Sequence, residues 1–180
     1  MVVSGTVFEV IRELAQQFHS HSKTLPAQTD FMPLTAALCF TVLNVELVIP
    51  LDELAEVQEM PEYTRLPRVK PWMLGVASIR GKLVPIVDLV RFLSGETPPA
   101  IKNQRLLVLA LQGGFIGVLV DSVAGVKRFE TEQFSEHAVD IPAPLEHYVK
   151  GCFVDDSGKA KYLFRPLELI EDELFRDVAV

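Results

Sequence analysis

Gly75-Val76-Ala77-Ser78-Ile79-Arg80-Gly81-Lys82-Leu83-Val84-Pro85-Ile86-Val87-Asp88-Leu89 reads as strand, tight turn, strand and the start of a helix. Residues 76–79 and 83–87 are short runs rich in branched aliphatic side chains, which pack well on a pleated surface. Arg80 and Gly81 interrupt them. Glycine supplies the left-handed backbone of a hairpin turn or a G1 bulge without a steric penalty. The turn then presents Arg80 outward beside large apolar groups. An arginine on a rigid turn loses little entropy on binding and offers a fork of donors, so Arg80 is a candidate anchor for a partner. Asp88 can cap a short helix running through Phe92, and Gly95 can end it.

The same pattern extends in both directions. Residues 36–43, 46–50 and 55–59 precede it, and 105–111, 115–120, 124–129, 152–155 and 159–164 follow, all short aliphatic runs between turn residues. Val57, Val76 and Val87 sit mid-run and are core candidates. Asp52-Glu53-Leu54 reads as a tight turn, and Pro166 suits the first turn of a helix over 166–175. Glu171-Asp172-Glu173 reads as a solvated face of that helix.

These strands come in two copies. Ile49-Pro50-Leu51-Asp52-Glu53-Leu54-Ala55-Glu56-Val57 aligns with Val118-Leu119-Val120-Asp121-Ser122-Val123-Ala124-Gly125-Val126, with Asp, Ala and Val identical. At the same offset Asn44-Val45 meets Gly113-Gly114, so both copies open with a hairpin turn. Trp72-Met73-Leu74-Gly75-Val76 matches Tyr148-Val149-Lys150-Gly151-Cys152, and Arg80-Gly81-Lys82 matches Ser157-Gly158-Lys159. Gly75, Gly81 and Gly151 read as structural turn glycines. The expectation is a mainly β protein of two small related units, each a little barrel, because closure removes exposed strand edges.

Composition narrows the function. Of 180 residues, 49% are hydrophobic and 23% charged, which supports a packed core and excludes a disordered chain. Lys and Arg number 17 against 24 Asp and Glu, a net charge of −7, which argues against nucleic acid and anionic membrane surfaces as partners. Cys39 and Cys152 cannot build a disulfide framework, lie in apolar stretches, and suggest a reducing, cytoplasmic setting. No apolar run approaches the roughly 20 residues of a membrane span.

Residues 1–33 read as a separate N-terminal helix and linker, and residues 34–180 as the β domain. Thr6-Val7-Phe8-Glu9 matches a capping box, and Val7, Ile11, Leu14 and Phe18 form one apolar stripe on a helix over 6–22. Its mixed-charge polar face suits docking on protein. Glu9 and Glu13 interrupt the apolar pattern and no basic start precedes it, unlike a signal peptide.

Signs of catalysis are missing. His19, His21, His137 and His147 form no ligand spacing, and no zinc, phosphate-loop, dinucleotide or nucleophile-elbow motif occurs. No catalytic residue, metal or cofactor is expected. A small-ligand-binding β barrel and a hydrolase or transferase with a dispersed site are the rival readings.

The stretch from Gly75 to Leu89 resembles the central signature of the CheW-like chemotaxis adaptors, G-V-x-N-x-R-G-x-x-x-P-I-x-D-L. Glu56-Val57-Gln58-Glu59 is similar to that family's V-Q-E strand, Val120-Asp121-Ser122-Val123 to its V-D-x-V, and Tyr148-Val149-Lys150-Gly151 to its Y-x-x-G. Ser78 replaces the usual Asn, and Lys161 and Arg165 make the last strand unusually basic. The N-terminal helix, Leu25-Pro26-Ala27-Gln28 and Tyr63-Thr64-Arg65-Leu66-Pro67 are similar to the adaptor of the type IV pilus twitching-motility system. The resemblance implies a CheW-like fold of two five-stranded SH3-like barrels around a shared core, with a short C-terminal helix and no catalysis. It implies coupling of a methyl-accepting chemoreceptor's cytoplasmic tip to a histidine kinase whose regulatory domain has the same fold. Val57, Glu59, Arg80 and Gly81 match the family's receptor-contact region. The kinase domain would pack on the first barrel through apolar strand edges, with the protein cytoplasmic and held at membrane-bound receptor arrays.

Overall fold

The computed structural model describes residues 36–96, 102–136, 140–155 and 157–180. The expected N-terminal helix and linker, His19, His21 and His137 lie outside these residues. The first copy forms β1 (Ala37–Val42), β2 (Val45–Pro50), a 3-10 turn (Leu51–Glu53), β3 (Leu54–Gln58), β4 (Met73–Ile79), β5 (Lys82–Asp88) and α1 (Leu89–Ser94). The second forms β6 (Arg105–Leu111), β7 (Gly114–Val120), β8 (Ser122–Lys127), β9 (Phe134–Ser135), β10 (Val149–Val154), β11 (Ala160–Phe164), α2 (Pro166–Glu171) and α3 (Glu173–Arg176). The class is mainly β, as expected.

Two sheets result, ordered β3-β6-β7-β5-β4 and β8-β1-β2-β11-β10-β9. The second is a five-stranded unit extended by the two-residue β9. Neither unit is made from one copy. Hairpin β1–β2 of the first copy joins β8, β10 and β11 of the second, while β6–β7 joins β3, β4 and β5. The expectation of one barrel per copy is therefore corrected: the copies exchange hairpins. Pairing is equivalent throughout. Antiparallel β3–β6 mirrors β8–β1, and parallel Ile86↔Gly117 mirrors Leu163↔Val48. The connections dictate the exchange. Only Asp121 separates β7 from β8, and even the tightest common hairpin needs a two-residue loop. The chain cannot reverse onto β7 and crosses to the other sheet.

This crossing explains why the strands are apolar on both faces. Along β1, Ala37 and Cys39 belong to a cluster with Val48, Phe153 and Leu163, while Leu38, Phe40 and Val42 belong to the largest cluster. Along β6, Leu106 and Val108 join Ala77, Val84 and Ile86, while Leu107 and Leu109 join that same large cluster. Each unit thus fills its own interior with one face and shares the core between units with the other. Strands buried on both faces lose the alternation of half-buried ones.

Val76 and Val87 are buried as expected, but Val57 is 36% exposed and its counterpart Val126 is 56% exposed. β3 and β8 are outer strands, so a side chain facing away from the interior there meets solvent. Gly75 and Gly151 are not turn residues. They lie inside β4 and β10 at register shifts, with φ of +151° and +94°. A Cβ on Gly75 would collide with the Thr64 carbonyl oxygen, and one on Gly151 would lie 2.6 Å from the Ser135 carbonyl oxygen. In both copies a neighbouring segment crosses the bulge there, through Thr64↔Val76 and Ser135↔Cys152.

The first helix follows the reading. Asp88 Oδ1 accepts from Arg91 N at 3.0 Å, and Gly95 closes α1 with φ +72°. The second does not run unbroken from 166 to 175. Asp172 has extended ψ of 127°, and its Oδ1 accepts from Leu174 N at 2.7 Å. The Tyr148 hydroxyl donates to the other oxygen. An aspartate that caps a new turn competes with helix continuation.

Two predictions follow for folding. Val87→Ala should lower unfolding stability by about 1–3 kcal/mol, while Val57→Ala should stay within about 1 kcal/mol, as read from urea midpoints. Gly81→Ala adds left-handed strain but nothing stands within 4 Å of its Cβ, so it should cost about 1 kcal/mol. Gly75→Ala should cost more than about 3 kcal/mol or prevent folding, because strain and collision add.

Candidate functional site

Ile79 pairs with Lys82, so Arg80 and Gly81 alone make the β4–β5 turn. Their φ values are +51° and +77°. Two successive left-handed residues define the type I′ turn, whose twist matches the flanking strands. A non-glycine residue in this region is uncommon, and the paired strands on either side hold Arg80 there. Its side chain is 81% exposed. Gly81 is required by its backbone conformation, since a side chain there would find open space.

Arg80 is not free. Its Nε lies 2.5 Å from Glu56 Oε2, whose side chain is only 16% exposed. Glu56 lies on β3, and β3 and β4 are the two outer strands of the same sheet. A contact between opposite edges requires the sheet to curl on itself, so this ion pair spans the barrel seam. Solvent around the exposed Arg80 screens the pair and limits it to about 0–1 kcal/mol, so its larger effect is to orient the guanidinium.

Strand alternation puts Val57 on the other face of β3 from Glu56, in register with Leu107. Glu59 follows β3 with its side chain 84% exposed, 3.7 Å from Arg105 Nη2. Gln58 shares the Glu56 face, and its Nε2 is buried without a protein partner. Beside the turn, Lys82 Nζ stands 4.0 Å above the Phe115 ring centre, and Leu83 is exposed. The structure thus brings Arg80 and Gly81 to one edge and Val57 and Glu59 to the other, with Glu56 joining them. Glu56 escaped the residue-level reading, although it begins the Glu56-Val57-Gln58-Glu59 stretch. Only the curl of the sheet brings it to Arg80.

The equivalent turn of the second unit carries no arginine. Asp155 Oδ1 accepts from Ser157 Oγ, Ser157 N and Lys159 N, which lowers its carboxyl pKa to about 2. Lys161 is buried where the first unit has Val84. It pairs with Glu46 and lies 3.8 Å from Asp155, and its hydrogen bond holds the Glu46 carboxyl below its usual range. Burial raises the pKa of the Cys39 and Cys152 thiols, as expected for inert packing residues. Among the described residues no group of three or more His, Cys, Asp or Glu side chains could hold a metal ion. The exposed chemistry around Arg80 is a fork of donors, a second cation and apolar side chains, an arrangement suited to binding a protein surface.

Known proteins resemble this chain in sequence and in fold. The sequence profile of the CheW-like domain matches residues 36–174. Protein PilI of Pseudomonas aeruginosa is 35% identical over 175 residues, covering 97% of both chains. Protein FrzA of Myxococcus xanthus is 32% identical over 78% of this chain and 88% of its own. The crystal structure of the scaffolding protein TtCheW from Thermoanaerobacter tengcongensis superposes with a TM-score of 0.66 at 20% identity, over 79% of this chain and 95% of that one, a likeness of fold. A profile match across every described strand and a relative aligned along nearly the whole chain lead to one conclusion: this chain belongs to the CheW-like domain family.

Proposed function

We propose that the chain is a non-catalytic signalling adaptor of the type IV pilus twitching-motility pathway. It couples the cytoplasmic tip of a methyl-accepting chemoreceptor to a histidine kinase through the kinase's own CheW-like regulatory domain. The observation that carries this reading is the 35% identity to PilI along 97% of both chains, together with the resemblance of residues 25–28 and 63–67 to the twitching-motility adaptor. Family membership and the FrzA and CheW relatives support the broader chemosensory role.

Arg80, Gly81, Val57 and Glu59 form the receptor contact in this proposal. The exposed arginine on a two-residue turn, oriented by Glu56, is the feature of the site best suited to a binding hot spot. The kinase domain packs on the apolar strand edges of the first unit. Residues 1–33 act as an appendage to the adaptor domain at 34–180. The protein works in the cytoplasm at membrane-bound receptor arrays, without inserting itself. No helix among the described residues is long and apolar enough to cross a membrane. The net charge of −7 fits a protein partner better than nucleic acid.

Pull-down with a receptor tip and with a CheW-like kinase domain tests the partners, and Arg80→Ala tests the site. The variant should keep its unfolding stability within about 1 kcal/mol. Receptor-tip affinity should fall by about 2 kcal/mol or more, roughly thirtyfold, while kinase-domain affinity changes little. Equal loss for both partners, or none for either, would place the receptor contact elsewhere.

A further inference from the structure

Each unit contains a parallel junction where a strand of one copy meets a strand of the other, β5 with β7 and β11 with β2. The two junctions are equivalent, with Ile86 paired to Gly117 in the first and Leu163 to Val48 in the second. No turn joins the paired strands, so their side chains must set the register. A one-residue slip moves every side chain to the wrong face, but a two-residue slip keeps each on its own. Leu47, Val48 and Ile49 of β2 and Tyr162, Leu163 and Phe164 of β11 are buried on both faces, so the apolar pattern does not exclude that slip.

In the first unit, shape opposes the slip. Gly117 leaves the space that Ile86 fills, whose Cδ1 lies 2.7 Å from where a Cβ would stand. After a slip of two, Ile86 would face Phe115 or Leu119 instead of a glycine. The second unit has Val48 in place of that glycine, so it lacks the notch. It has Lys161 instead. One step along the ladder from Tyr162↔Leu47, Lys161 stands opposite Glu46, and the two form an ion pair. Strand alternation puts Lys161 on the face of Leu163 and Glu46 on the face of Val48, and both of those residues fill the interior of the second unit. Lys161 is buried, and a buried charge needs a partner. The equivalent residues of the first unit, Val84 and Phe115, pack in one apolar cluster. Asp155, 3.8 Å from Lys161, sits in the β10–β11 connection and moves with it, so Glu46 is the partner that marks where β2 lies.

We propose that the Glu46–Lys161 pair is the register lock of the β2–β11 junction. A two-residue slip sets Lys161 opposite Val48 or Asn44, and in either case the pair is broken. Buried ion pairs add little stability over apolar side chains of similar volume, whereas fixing register is a role that buried polar groups do fill. Equivalent junctions thus carry different locks, a glycine notch in the first unit and an ion pair in the second. The inference rests on strand pairing and does not depend on the adaptor reading.

The test grafts the first unit's side chains onto the second in the full chain, Glu46→Phe with Lys161→Val, and reads amide correlation spectra and cross-strand Overhauser contacts. The variant should show a second set of peaks for residues 46–49 and 160–164, carrying about a tenth of the intensity or more. In that set residue 161 should contact residue 44 or 48 instead of 46, while residues 117–119 keep a single set. A single set with residue 161 still facing residue 46 would show that packing alone fixes the register, and the proposal would fail. Should the graft not fold, Glu46→Gln, which keeps the shape of a half-exposed side chain and removes its charge, decides by the same contacts: a slipped set supports the lock, and the native set alone overturns it.

Discussion

Leu38, Phe40 and Val42 of β1 and Leu107 and Leu109 of β6 belong to one apolar cluster that neither sheet can complete alone. The ring of Phe40 meets Phe164 edge to face at 5.8 Å. At the helical side, Trp72 stacks on Phe175 at 5.1 Å with Phe92 against both. Five-stranded units of this size enclose few side chains each, so burying the outer faces of their central strands against one another supplies much of the apolar area removed from water. The exchange of hairpins binds the arrangement further. Separating the two sequence copies would break β1–β8 and β3–β6 as well as the shared core, so neither copy can stand as an independent domain.

The candidate site draws its stiffness from that constraint. β5 is held between β4 and β7, and the β4–β5 tip projects from a sheet whose other face is locked into the shared core. Arg80 therefore needs little packing beneath it. One ion pair to Glu56 orients it across the barrel seam. In the second unit the corresponding turn is occupied by the Asp155 hydrogen bonds, and Gly125 stands where β3 has Glu56. The internal duplication built two similar scaffolds, and different side chains at the same places gave only one of the two equivalent turns an exposed arginine.

Lys161 shows how far the copies have diverged inside. It occupies a position that Val84 fills in the first unit, and it remains charged-paired through Glu46 on the neighbouring strand β2. A lysine stem can lie along apolar surface while its ammonium reaches a carboxylate at the rim. Arg165, which the sequence also marks as unusual, stands 3.8 Å from Glu53 and ties the end of β11 to the turn leading into β3. Both departures from the family pattern thus have local structural roles in the second unit.

The strands, the turns, the duplication and the Arg80-Gly81 tip were legible in the residues, because branched aliphatic runs, punctuating glycines and capping aspartates act over a few neighbours. Residues 105–111 match β6 end to end, and the limits of α1 follow from Asp88 and Gly95. What those signals could not carry was pairing between distant segments. Apolar repeats say that strands exist but not which strand lies beside which, so the hairpin exchange and the solvent-facing edges with Val57 and Val126 emerged only in three dimensions. The same holds for Gly75 and Gly151, whose need for glycine comes from Thr64 and Ser135 crossing above them, and for Glu56, which meets Arg80 only because the sheet curls. Local chemistry determined the pieces; the requirement that two half-open sheets bury one common core decided where each piece went.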